Sequence, residues 1–298
     1  MALRKSVLIR KAAYEFRNNR YISLRTALTN YLKHSESYRI LDSQAVKRTR
    51  SSDTLFILGS GPSLNLVGKK EQHIIQQHDS LGMGLSFLFD RIIPTYHIFP
   101  QELQLGSDYG RNDQTNLFQE YRYSYRKVIT LIGKNALFRL AHPRFMPEIF
   151  PNNPIVHYLF SRRKGKYNHT NGFDKLYFDQ SLIYRGSLCV ALEFAFHQNY
   201  KSIVLLGVDP SRWQYFFQDD PRVPKHNLEN TYNLAKGVPS DWNDKSPYIG
   251  MYRRPGSEGT ILEYIQGLKN YLEHYHDISL MTGFSNSDLC PHLQFFFD

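Results

Sequence analysis

Apolar positions along the chain follow two periods. Short unbroken apolar runs, bounded by polar or turn-forming residues, predict buried strands over 54–58, 96–99, 127–132, 154–158, 202–206 and about 277–281. Apolar residues recurring every three or four positions predict helices over about 64–77, 187–198 and 259–274. Strands that alternate with helices indicate an α/β domain whose parallel or mixed sheet is covered on both faces. No internal repeat and no low-complexity tract interrupts this order.

Two stretches depart from it. Residues 1–45 carry Leu3, Val7, Leu8, Tyr14, Phe16, Ile22, Leu24, Leu28, Tyr31 and Leu32 at roughly helical spacing between basic residues, which predicts one or two amphipathic helices. The polar stretch 46–53 predicts a linker, so the expected organisation is a basic extension over 1–50 and a domain over 51–298. Residues 210–255 hold prolines at 210, 221, 224, 239, 247 and 255 and little periodicity. A loop of that length in a compact domain is usually functional or disordered. It starts after the 202–206 strand, at the carboxyl edge where open α/β sheets bind ligands, and is read as a lid.

Charge sharpens the division. The formal net charge is +10, and residues 1–50 supply +9 of it through twelve Lys/Arg against three acids. The near-neutral remainder argues against nucleic-acid binding, which needs a basic face on the domain itself. A basic amphipathic segment suits an anionic membrane surface, at about 1 kcal/mol per cation. An arm packed on the domain with solvated cations fits the same pattern. No run of 18 uncharged apolar residues exists, and the N-terminus lacks a secretory signal, so the expectation is a cytoplasmic protein, peripheral on the inner face of the membrane. Cys189 and Cys290 form neither a disulfide framework nor a metal motif.

Four motifs carry candidate chemistry. In Leu55–Asn65 (LFILGSGPSLN), Gly59 and Gly61 permit a sharp turn, Ser60 lies between them, Pro62 suits an early helical position and Ser63 can cap. Free N–H groups and a helix N-terminus there would seat a phosphate, although the turn is neither GxGxxG nor a Walker loop. A plain tight turn is the alternative. Arg185, Gly186 and Ser187 open the next long helix as a second anion seat or an ordinary capped terminus. Gly207, Val208 and Asp209 follow the 202–206 strand, with Asp209 as a ribose acceptor or a turn cap. Trp242 and Tyr248 in the loop can close over a base or sugar, and Arg253 and Arg254 can meet a phosphate or an acidic sugar.

These pieces, in this order, resemble the bacterial sialyltransferases of glycosyltransferase family 42 over about residues 54–285, through the GxGPSL turn, the NYKSIVLLGVD stretch and NDKSPYIG. The turn also resembles that of Rossmann-like proteins including a pterin pyrophosphokinase. The resemblance implies a single Rossmann-like domain (a GT-A-like variant), a CMP-sugar donor, and an inverting transfer with no metal or other cofactor. It implies that Gly59, Ser60 and Gly61 face the nucleotide, that Arg185, Gly186 and Ser187 lie near the cytosine and the sugar carboxylate, and that Gly207, Val208 and Asp209 hold the ribose. Tyr215 is the nearest candidate to stabilise the departing phosphate. This chain has Pro247 where the family places its general-base histidine, and 82–86 and 99–100 where it places two donor-binding asparagines. A base near working pH is still required. His226 and then His97 are the candidates.

The expected partners are a nucleotide sugar, a glycan or glycolipid acceptor, an anionic membrane surface through 1–50, and a second copy of the chain. The expected reaction moves a sialic-acid or Kdo type sugar to a lipopolysaccharide or surface polysaccharide. A pyrophosphokinase-type enzyme and a non-catalytic nucleotide-binding or assembly protein are the alternatives.

Overall fold

The computed structural model describes residues 39–41, 43–99, 121, 123–133, 154–160, 180–181, 187–210, 215–217 and 261–297. The strands are β1 Arg39–Leu41, β2 Thr54–Leu58, β3 Asp79–Met83, β4 Tyr96–Phe99, β5 Ile129–Gly133, β6 Pro154–Phe160, β7 Gln180–Ser181, β8 Ser202–Leu206 and β9 Ser279–Thr282. Every ladder among them is parallel. The order is β1-β6-β5-β4-β3-β2-β8-β9, with β7 pairing β6. From β2 the sheet grows through β3, β4 and β5 on one side and through β8 and β9 on the other. The gap between the carboxyl ends of β2 and β8 is therefore a topological switch point, the usual ligand crevice of such sheets.

Alternation along the central strands explains why both faces are covered. Leu55 and Ile57 of β2 and Ile203 and Leu205 of β8 pack on α3 Ser187–His197 and α4 Ile261–His276. Phe56, Leu58, Val204 and Leu206 point the other way, into a second core with Leu64, Ile75, Phe89, Phe216 and Phe297. Continuous apolar strands of this kind belong to parallel sheets buried on both sides. Helix α3 is buried from Leu188 through Ala195, which includes the free thiol of Cys189.

The expected helix over 64–77 is two elements. Pro62–Leu66 is a 3-10 turn, and α2 Lys69–Gln76 starts only after Gly68. The Gly68 N–H donates to Glu71 Oε2 at 2.9 Å, so α2 has its own start signal. Described elements also lie on the N-terminal side of residue 50. β1 is a strand inside the stretch expected to be helical, and it pairs with β6. Leu41 and Val46 lie in the first core, with Val46 in α1 Ser43–Lys47. The expected linker is fixed at the start of β3. Asp79 accepts hydrogen bonds from Ser51 N–H (2.8 Å), Ser51 Oγ (2.6 Å) and Ser52 N–H (3.2 Å). Residues 39–41 and 43–50 thus belong to elements that meet the sheet and its core, and residues 1–38 lie outside the described residues. Among the described residues no helix is long and apolar enough to cross a membrane.

Candidate functional site

The two turns that close β2 and β8 are joined backbone to backbone. Gly59 N–H donates to Leu206 O and Gly61 N–H to Gly207 O, both at 2.7 Å. A Cβ on Gly59 would collide with the Gly207 carbonyl oxygen, so glycine is required there for space. The same holds at Gly61, whose backbone is ordinary extended chain (φ −76°). Left-handed backbone falls on Gly207 instead, at φ 63°.

Asp209 completes the joint. Its Oδ2 accepts the Ser63 N–H at 2.9 Å, and the residue is only 7% exposed. A fixed carboxylate in front of a turn amide is the arrangement that would otherwise welcome an anion. The expectation of free amides is corrected at three positions: Gly59, Gly61 and Ser63 all spend their N–H groups inside the protein, and Pro62 has none. Ser63 offers no side-chain cap to the 3-10 turn. The GSGPS segment is a rigid wall of the crevice, and Asp209 serves the turn as the cap that the sequence left open as an alternative. Val208, 8% exposed, packs into the core beside Gly59.

Three other pieces meet this wall. The Ser60 Oγ lies 3.5 Å from Met83 O at the end of β3, where Gly84 is left-handed (φ 59°). The Phe216 N–H donates to Ser60 O at 3.0 Å, and Asn65 Nδ2 donates to Phe216 O at 2.7 Å. Tyr215 is thereby held next to Ser60, half-buried, with its ring stacked on Phe217 at 5.1 Å. Helix α3 leads back to the start of β8 at the amino edge, so its first residue, Ser187, points toward the carboxyl edge.

His97 is not an accessible base. It is fully buried on β4, edge-on to Phe87 (6.2 Å) and Tyr125 (5.6 Å), and its ring covers Gly82. Burial pushes its pKa down to about 3, against a smaller opposing effect of the Gly84 backbone. A group that weakly basic and out of contact with solvent does not deprotonate an acceptor hydroxyl. His226, Arg185, Gly186, Trp242, Pro247, Tyr248, Arg253 and Arg254 lie outside the described residues, as does the loop 210–255 apart from Pro210 and 215–217. The motif reading overlooked Asn65 and Phe216. The available signals were a side-chain amide between two leucines, and an apolar Phe-Phe pair in a polar loop.

No protein-family model matches the chain, and no curated protein matches it. Solved structures do. The sialyltransferase CstII from Campylobacter jejuni, in complex with the substrate analogue CMP-3FNeuAc, is 15% identical at a TM-score of 0.42, over 81% of this chain and 85% of that one. The monofunctional alpha-2,3-sialyltransferase Cst-I from the same organism is 14% identical at 0.45, over 82% and 80%. A third structure, the sialyltransferase CST-II with trisaccharide acceptor and CMP, is 17% identical at 0.44, over 81% and 85%.

Proposed function

We propose that the chain is a CMP-sugar-dependent glycosyltransferase of the sialyltransferase-like kind. It transfers an acidic sugar, of sialic-acid or Kdo type, with inversion and without a metal, to a lipopolysaccharide or surface-glycan acceptor. The carrying observation is the convergence, at the switch point between β2 and β8, of the Gly59–Ser63 turn, the Gly207–Asp209 turn and the Tyr215 segment. The motif resemblance over 54–285 supports the same reading.

Because the Gly59, Gly61 and Ser63 amides are used internally, the wall is assigned to the nucleoside and the phosphate to other groups. The Tyr215 hydroxyl and the N-terminus of α3, with Arg185, take the leaving phosphate, where positioned donors can replace a metal. The Gly207–Asp209 turn takes the ribose. Trp242, Tyr248, Arg253 and Arg254 enclose the sugar. His226 takes the acceptor proton, since His97 is buried. Residues 1–38 hold the enzyme against anionic lipid at the cytoplasmic face, near a lipid-linked acceptor.

The test is calorimetry with CMP, followed by CMP release from CMP-sialic acid and CMP-Kdo with and without EDTA. Binding, and release that EDTA leaves unchanged, is the expected result. Absence of CMP binding overturns the donor class. A second reading, a nucleotide-binding protein without transfer activity, is favoured by Pro247 at the position of the expected base. Binding without release from either donor selects it. In an active enzyme His226→Ala lowers kcat by roughly 10²–10⁴-fold.

A further inference from the structure

We propose that Asn65 is a positioning residue that sets Tyr215 at the crevice by clamping the Phe216 peptide. This rests on the reading of the crevice as a nucleotide-sugar site, and it assigns a task that neither motif nor fold gives to Asn65.

The clamp has two jaws. On one side Phe216 N–H donates to Ser60 O at 3.0 Å, and on the other Asn65 Nδ2 donates to Phe216 O at 2.7 Å. Both partners lie within one short piece of chain, the Gly59–Ser63 turn and the 3-10 turn after it, so they move as one body. The Phe216 and Phe217 rings are each 1% exposed, and Phe216 packs edge-on against Phe89 at 5.5 Å. Those rings hold the segment down, and the two backbone hydrogen bonds add control of its rotation about its own axis. A peptide gripped through both N–H and C=O is fixed in that rotation, and this decides where the preceding Tyr215 sits. Asn65 is itself exposed, with Leu64 and Val67 buried on either side of it in the turn. Its amide is spent on the Phe216 carbonyl in a part-buried bond, a modest contribution to global stability. A catalytic group displaced by about 1 Å loses on the order of 10²-fold in rate.

The experiment compares Asn65→Asp, Asn65→Ala, Tyr215→Phe and the double variant Asn65→Asp/Tyr215→Phe. Aspartate keeps the size of asparagine but cannot donate to a carbonyl. All four are expected to melt within a few degrees of wild type. Both Asn65 variants are expected to lower kcat for CMP-sugar cleavage to roughly the level of Tyr215→Phe, and the double variant to be no slower than Tyr215→Phe alone. Additive losses, or wild-type kcat in Asn65→Asp, overturn the proposal. Amide hydrogen exchange at Phe216 is read in parallel on the free protein. Faster exchange in Asn65→Asp supports the clamp, and unchanged protection overturns it. If wild type neither binds nor cleaves a CMP sugar, the functional reading fails by itself, and the exchange measurement still decides the clamp.

Discussion

Asp209 accepts the Ser63 amide across 146 residues of sequence, and this bond ties the end of β8 to the turn that follows β2. Its removal leaves a buried N–H without an acceptor, which costs about 1–3 kcal/mol. Asparagine at the same place still presents a carbonyl oxygen to Ser63. Asp209→Ala is therefore expected to lose about 1–3 kcal/mol in urea unfolding and Asp209→Asn less than about 1 kcal/mol. If the carboxylate also holds ribose, both variants bind CMP more weakly.

Gly61 faces the same carboxylate. A Cβ at Gly61 would collide with Asp209 Oδ2 and come within 2.9 Å of Gly207 O. Since φ at Gly61 is −76°, alanine is not strained there by its own backbone, and the whole penalty is the displaced neighbour. Gly61→Ala is expected to destabilise by about 1–3 kcal/mol. Combining it with Asp209→Ala, which empties that space, is expected to recover part of the loss. A double-mutant cycle in urea reads the coupling, and strict additivity would refute this account.

The elements readable from sequence are those whose side chains report their surroundings. β2, β4 and β8 are mostly apolar runs and fall at 54–58, 96–99 and 202–206 as the pattern predicts. β3 reads DSLGM, a pattern that predicts no strand, yet Asp79 through Gly82 are all buried. Its polar residues are used rather than exposed. Asp79 gathers the donors of 51–52, and Ser80 exchanges bonds with Thr95, Ser80 N–H to Thr95 Oγ1 at 3.2 Å and Thr95 N–H to Ser80 Oγ at 3.3 Å. Gly82 leaves room for the His97 ring. A hydropathy pattern cannot show that a polar side chain has partners 15 or 28 residues away. The site divides in the same way. The two glycine turns were legible because turn chemistry is local, whereas the destination of their amides was not, because the acceptors belong to a strand about 150 residues on.

Tyr200 ties the amino edge of the sheet together in the way Asp209 ties the carboxyl edge. Its hydroxyl donates to Asp79 Oδ2 at 2.8 Å, and its ring lies under the Arg50 guanidinium at 5.2 Å. Burial, and then the neighbouring Tyr96 and Asp79, raise the phenol pKa above its ordinary value, so it remains a donor throughout the stable pH range. Tyr200→Phe keeps the ring and loses the hydroxyl's bonds to Asp79 and Tyr96, an expected cost of about 1.5–3 kcal/mol. Asp79→Ala removes the acceptor shared by that hydroxyl and by the Ser51 and Ser52 donors and is expected to cost more than Tyr200→Phe. Chemical denaturation of the two variants checks the ranking. Equal stabilities would mean that the segment 49–53 is held by its packing rather than by Asp79.

His97 sets the response to acid. Its folded pKa is about 3 against an ordinary 6.5, because burial penalises the imidazolium. A depressed histidine pKa means that the unfolded chain binds the proton first. The contribution of neutral His97 is therefore complete above pH about 6.5 and declines as pH falls toward 3, by up to about 1.4 kcal/mol per pH unit. His197, lowered to about 4 by burial and then by Lys47, acts with the same sign over a narrower window. His97→Asn removes the titration, and it is expected to lower stability at pH 7 through lost packing against Phe87 and Tyr125. It is also expected to flatten the fall in unfolding free energy between pH 6.5 and 4.5. Urea titrations at half-unit pH steps read the slope directly. A slope in His97→Asn as steep as in wild type would assign the acid sensitivity to His197 and to the carboxylates instead.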